Sequence, residues 1–210
     1  DNLKTTIQAG RFNTDRSAAN PDMDKTTADY YAVQFDYAQD KWTGQAGYYL
    51  FKDYFKEKTI NLGDKTLSSA DFDTDELSLW NVGLGYKFDD NFKIAGNYAE
   101  NTKGEGYNTT GDFTVQGDES KAYSVELTYK GYDTKDPGSW DAFVAYRYLG
   151  AMVAIGPVYK GAWTDQKGIE FGVEFVPAEN VLATLKYFDG KDISTDQDAS
   201  KFFGQLELQF

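Results

Sequence analysis

The side chains able to do chemistry in this chain are charged and amide groups recurring at every second position. Lys4, Gln34, Asp36, Gln45, Asn81, Lys93, Asn97, Glu126, Asp141, Arg147, Glu170, Glu174, Lys186 and Glu207 share one parity within their segments. Gln8, Lys87, Lys130 and Gln205 join them. Such groups cannot be buried dry and unpaired; they need water or one another. Two readings follow. The face lines a hydrated channel whose charged walls tune ion selectivity, or it is plugged by mutual salt bridges. Glu170 facing Lys186 across neighbouring strands fits either. Asp71, Asp73 and Asp75, and Asp192, Asp196 and Asp198, offer oxygen ligands of the kind Ca²⁺ or Mg²⁺ takes. Neither set has the spacing of a closed calcium loop, so both read as solvated acidic loops and no metal site is assigned.

Other chemistries are excluded by what is missing. The 210 residues include no Cys and no His. That removes disulfides, thiolate metal sites, the usual general base and the commonest transition-metal ligand. Paired carboxylates are plentiful, but nothing singles out one pair for acid–base work. No enzyme activity and no cofactor are expected. The formal charge is −13, which repels nucleic acid and leans a channel toward cations.

The elements that must carry these residues are strands. Aromatics make up 17% of the chain, yet mean hydropathy is −0.62. A transmembrane barrel reconciles the two, because only alternate residues meet lipid. The longest mainly apolar run, 149–159, contains Pro157 and is too short for a spanning helix, which needs roughly 20 apolar residues. Ten strands are expected, at 2–12, 29–38, 41–51, 77–88, 91–101, 121–130, 139–149, 168–176, 181–188 and 201–210. Their other faces are apolar and uncharged. Examples are Val82, Leu84 and Tyr86, then Val125 and Leu127, then Val181, Ala183 and Leu185. Arg11 is the exception, and falls at a rim where a long side chain can snorkel.

Connections alternate between short and long, as in outer-membrane barrels. Pairing Phe88 with Phe92 sets Tyr86 against Ile94, Leu84 against Gly96 and Val82 against Tyr98. Pairing Tyr37 with Trp42 sets Phe35 against Gly44. Aromatics form two belts. Tyr37, Trp42, Tyr86, Tyr129, Trp140 and Phe210 lie near the short turns; Trp80, Tyr98 and Tyr187 lie near the long connections. Such rings favour the headgroup zone. The long connection 150–163 differs from the others in being apolar. It folds inward as a constriction, meets a neighbouring subunit, or packs on its own rim.

The ending Leu206-Glu207-Leu208-Gln209-Phe210, the Asp89-Asp90-Asn91 turn and the strand Val82-Gly83-Leu84-Gly85-Tyr86-Lys87-Phe88 resemble those of bacterial outer-membrane porins. The acidic, Tyr-rich style is similar to porins tethered to the cell wall by an S-layer-homology domain. The resemblance implies an all-β, antiparallel up-and-down β-barrel integral to the outer membrane, passing ions and small hydrophilic solutes by passive diffusion. It implies a terminal strand read at Phe210 by the barrel-assembly machinery, contact with outer-membrane lipid, and a homotrimer if the chain is a general porin. The alternative is a closed structural or tethering barrel whose long surface loops bind a partner or surface lipid. Ten strands alone give a narrow lumen, since about eight leave none and 16–18 leave a channel. The span 1–210 is therefore one barrel domain, or the C-terminal portion of a 16-strand barrel. Asp1 leads almost directly into a strand without a visible signal peptide, which fits a mature chain or a fragment.

Overall fold

The computed structural model describes residues 2–14, 26–54, 60–62, 65–67, 75–103, 109–110, 113–114, 118–153 and 161–209. The fold is all-β. Ten antiparallel strands form one up-and-down sheet. They are β1 (Leu3–Thr14), β2 (Thr26–Gln39), β3 (Trp42–Lys52), β6 (Leu77–Lys87), β7 (Phe92–Asn101), β10 (Lys121–Gly131), β11 (Trp140–Leu149), β12 (Gln166–Ala178), β13 (Val181–Asp192) and β14 (Asp198–Leu208). Two small hairpins lie in the long connections, β4 (Ile60–Leu62) with β5 (Lys65–Leu67), and β8 (Thr109–Thr110) with β9 (Phe113–Thr114). Neither is marked by alternation long enough to read from sequence. Every strand of the large sheet pairs with its sequential neighbour in that sheet. Among the described residues β1 and β14 are its two edges.

Alternation sorts the side chains as expected. The apolar positions stand exposed on the outward face: Val82 is 45% exposed, Leu84 59%, Val125 51%, Leu127 40% and Leu185 54%. They do not form a dry centre. The opposite face is concave, since one pocket on it draws side chains from β1, β2, β3, β6 and β7.

The turns fix the register. At the β6–β7 turn, Tyr86 pairs with Ile94, Leu84 with Gly96 and Val82 with Tyr98, as the sequence predicts. The Asp89 carboxylate accepts the backbone N–H groups of Asn91 at 2.7 Å and Phe92 at 2.8 Å, which holds its carboxyl below the usual range. At the β2–β3 turn the expectation is two residues off. Gln39 pairs with Trp42, so Tyr37 meets Gly44 and Phe35 meets Ala46. The tight loop is Asp40-Lys41, with Asp40 in the left-handed region (φ 51°) that Asp tolerates. A shift of two preserves both faces; a shift of one would exchange them. In β12 the register slips between Phe175 and Ala178. Pro177 lies in that interval and has no N–H to give to the ladder.

The outward rings stack across strands at each end. Trp42 and Tyr86 lie 4.5 Å apart between centroids, Phe92 and Tyr129 4.9 Å, and Tyr129 and Trp140 5.9 Å. At the other end Trp80 lies 5.2 Å from Tyr98. Tyr187 takes an outward position on β13, and Phe210 lies outside the described residues. Arg11 is exposed at the rim and pairs with Asp29 at 2.7 Å.

Candidate functional site: the concave wall

Strand parity brings all fourteen expected wall residues onto the concave face. Lys4, Asp36, Gln45 and Asn97 line a pocket of about 450 Å³. Gln34 lies beside Asp36 and donates to it through Nε2 at 2.8 Å, while Tyr49 Oη donates to Gln34 Oε1 at 3.0 Å. Gln45 reaches across β6 to donate to Asn97 at 3.1 Å. Asn81 faces the same side, opposite Gly47 and Ala99. Gln34, Asp36, Gln45, Tyr49 and Asn97 are bonded in this way, whereas the buried Oδ1 of Asn81 has no hydrogen-bond partner.

A second pocket of about 440 Å³ is lined by Lys93, Glu126, Asp141, Arg147, Glu174, Lys186 and Glu207. Between it and the long connections stands an ion triad. Arg147 Nη2 lies 2.6 Å from Glu126 and 3.1 Å from Glu170. The expected pairing of Glu170 with Lys186 does not form. The register sets Glu170 against Phe188 and Lys186 against Gly172. Lys186 instead lies 5.1 Å from the ring centre of Phe143. Gly172 is what lets that ring lie flat on the wall, because a Cβ there would strike Phe143.

Lys130 also departs from expectation. It is the Cα partner of Asp141, but its backbone is left-handed (φ 65°). Its ammonium lies 4.5 Å from the Trp140 ring centre, on the aromatic side of the sheet.

Toward the long connections the concave face stops being polar. Phe51, Tyr54, Leu77, Leu79, Met152 and Val153 form one buried cluster, and Leu149, Ala162 and Phe188 another. Met152, Val153 and Ala162 belong to the apolar connection, so its described parts fold inward onto the chain's own wall. Residues 154–160 lie outside the described set. Asn101 Nδ2 donates to the carbonyl of Met152 at 3.0 Å. The backbone N–H of Ala151 donates to Glu119 Oε2 at 2.6 Å, and that of Ala162 to Glu170 Oε2 at 3.0 Å. Gly161 permits this last contact, since a Cβ there would overlap the Glu170 carboxylate.

Glu119 is fully buried just before β10. Its Oε1 has no hydrogen-bond partner, and the carboxyl of Asp165 is near enough to act on it. Two carboxyl groups meet there comfortably only with a proton between them. Burial first, and Asp165 second, push the Glu119 carboxyl up to about 9. Asp165 in turn accepts the backbone N–H of Ser194 at 2.8 Å and its hydroxyl at 2.6 Å. Nothing in the sequence pattern singled out Glu119, because it precedes its strand. The apolar clusters did leave a signal: Leu77, Leu79, Leu149 and Phe188 break the polar run on the concave parity.

Among the described residues no three acidic side chains converge as ligands would. Asp196 is engaged by Lys191 at 3.0 Å and Lys167 at 3.6 Å. Asp71 and Asp73 lie outside the described residues.

No protein-family model matches the chain, and no curated protein matches it. Among solved structures it is similar to a copper transporter, OprC, with a TM-score of 0.46 and 11% identity. The match covers 100% of this chain and 38% of that one, so the chain spans well under half the length of that protein.

Proposed function

We propose that the chain is the wall of an outer-membrane porin through which ions and small hydrophilic solutes diffuse passively. One observation carries this reading: exposed apolar side chains cover one face of the sheet, while polar pockets open on the other. Backbone groups must be satisfied in lipid, so the edges β1 and β14 need strand partners. Closure on each other gives a ten-strand barrel. Strands beyond these ten give a wider one, of the 16-strand kind that the porin resemblance implies. The chain does no chemistry and takes no cofactor. Its partners are outer-membrane lipid, the barrel-assembly machinery at Phe210 and, for a general porin, two further copies in a trimer. Planar-bilayer recording of the purified protein tests the reading; lipid-background current alone would sink it.

The apolar packing at the long-connection end supports a second reading, a closed structural or tethering barrel whose surface loops bind a partner or surface lipid. Robust folding into vesicles with no passage of ions or small sugars would favour it.

A further inference from the structure

Lys130 stands at the short-turn end of β10, on the side opposite to the one its parity assigns. Its backbone is left-handed (φ 65°), a conformation that a residue with a Cβ keeps only where the surroundings impose it. The consequence is a relocated charge. The ammonium leaves its cross-strand partner Asp141 and lies 4.5 Å from the Trp140 ring centre and 5.8 Å from that of Tyr129. Among the described residues no carboxylate pairs with it. Asp133, three residues on, accepts the backbone N–H of Lys135 at 2.9 Å instead.

An ammonium carries three donors, and a ring face satisfies none of them fully. The Trp140 indole N–H and the Tyr129 hydroxyl likewise have no hydrogen-bond partner among the described residues. Tyr129 is an exposed outward ring, stacked on Phe92 at 4.9 Å and on Trp140 at 5.9 Å. One ring cluster thus presents three unused donors and a positive charge at the depth where aromatic belts meet headgroups. The next outward position along β11 is Ala142, with Tyr129 across on β10 and Val173 across on β12. A methyl group between larger side chains leaves a shallow apolar lane that runs from the cluster toward the middle of the sheet.

We infer that Lys130, Trp140 and Tyr129 hold the phosphate of an anionic phospholipid in the leaflet at the short-turn end, with an acyl chain lying over Ala142. The inference rests on the outward face meeting lipid, as the proposed function has it, and adds a place and a headgroup charge. A zwitterionic headgroup brings its own cation to rings that already carry one. An anionic headgroup brings only the charge that the ammonium lacks.

The test is quenching of Trp140 fluorescence by lipids with brominated acyl chains, in vesicles mixed from phosphatidylglycerol and phosphatidylcholine. Trp42→Phe, Trp80→Phe and Trp163→Phe leave Trp140 as the sole reporter. Heat-modified gel migration checks that each variant has folded. Phosphatidylglycerol is expected to be favoured beside Trp140 by about fivefold, the order that one lysine near an anionic surface supplies. Lys130→Gln should bring the two lipids close to parity, and Lys130→Arg should retain the preference. Lys41→Gln should leave it unchanged, since the Lys41 ammonium is donated to the Phe88 carbonyl at 2.7 Å. Should the Trp→Phe replacements prevent folding, the phosphatidylglycerol retained by the four-tryptophan protein and by its Lys130→Gln form, weighed as intact complexes released from mixed micelles, makes the same comparison. Equal quenching by both lipids, or a preference that survives Lys130→Gln, overturns the inference and leaves the barrel in its membrane. Loss of the preference on adding inorganic phosphate overturns it too, by making the cluster a site for aqueous anions. No quenching by either lipid overturns the reading of the outward face, and the lipid site with it.

Discussion

Arg147 and Glu170 meet at 3.1 Å with 3% and 0% of their side chains exposed, and the second oxygen of Glu170 holds the N–H of Ala162. One ion pair thereby ties the wall to the inward-folded connection. Removing a single partner leaves a buried, uncompensated charge, at a cost of about 3–5 kcal/mol. Arg147→Met should destabilise the folded protein by that order in urea titrations from lipid vesicles. The double variant Arg147→Met/Glu170→Gln should recover much of the loss. Equal destabilisation in both would show that Arg147 acts through packing alone.

Glu119 makes the same connection sensitive to pH. Its carboxyl is raised to about 9 in the folded protein, against an ordinary value of 4.5. Between those values the folded state keeps a proton that the unfolded chain has released. The proton-linked contribution to stability is therefore full below about pH 4.5 and declines as pH climbs toward 9. The protection of the Ala151 amide, taken relative to its intrinsic exchange rate at each pH, should fall over that interval. Glu119→Gln, which keeps an acceptor for Ala151 and supplies a permanent donor toward Asp165, should flatten the profile. An unaltered profile in that variant would assign the effect to another group.

Leu84 and Val125 test which face meets hydrocarbon. Arginine at either position should cost about 2–4 kcal/mol on folding into vesicles if it lies near the bilayer midplane. Arginine at Gln45, on the concave side, should cost far less. Comparable penalties at all three would contradict the assignment of faces.

Gly161→Val should unseat the connection from Glu170, because the added carbon occupies the space of the carboxylate. Limited proteolysis should then cut between 150 and 165, and ionic current should rise if the connection narrows the path. An unchanged digestion pattern would mean that the cluster around Met152 alone holds it.

Much of this architecture was legible because a sheet facing two media writes a period of two into its sequence. The ten strands, the outward series through Val82 and Leu84, and the β6–β7 register all follow from that period. Features independent of it were not legible. The β2–β3 turn slipped by two residues because parity cannot tell one in-phase register from the next. Alternation places Lys130 on the concave face, but its left-handed backbone reverses that direction. Proximity in the hairpin matches Glu170 with Lys186, whereas its carboxylate is held from the other side by Arg147 on β11, diagonal to it in the register. Glu119 and Asp165 lie beyond the strand ends, where no periodicity constrains them.

The charged groups of the concave wall crowd toward its tight turns, and its dry packing crowds toward the long connections. A conduit lined that way is not reversible end for end. An ion driven from one direction meets fixed charge before the bottleneck; driven from the other, it meets the bottleneck first. On the porin reading proposed above, such a conduit rectifies, and the sense of the diode reports which end of the molecule faces which compartment.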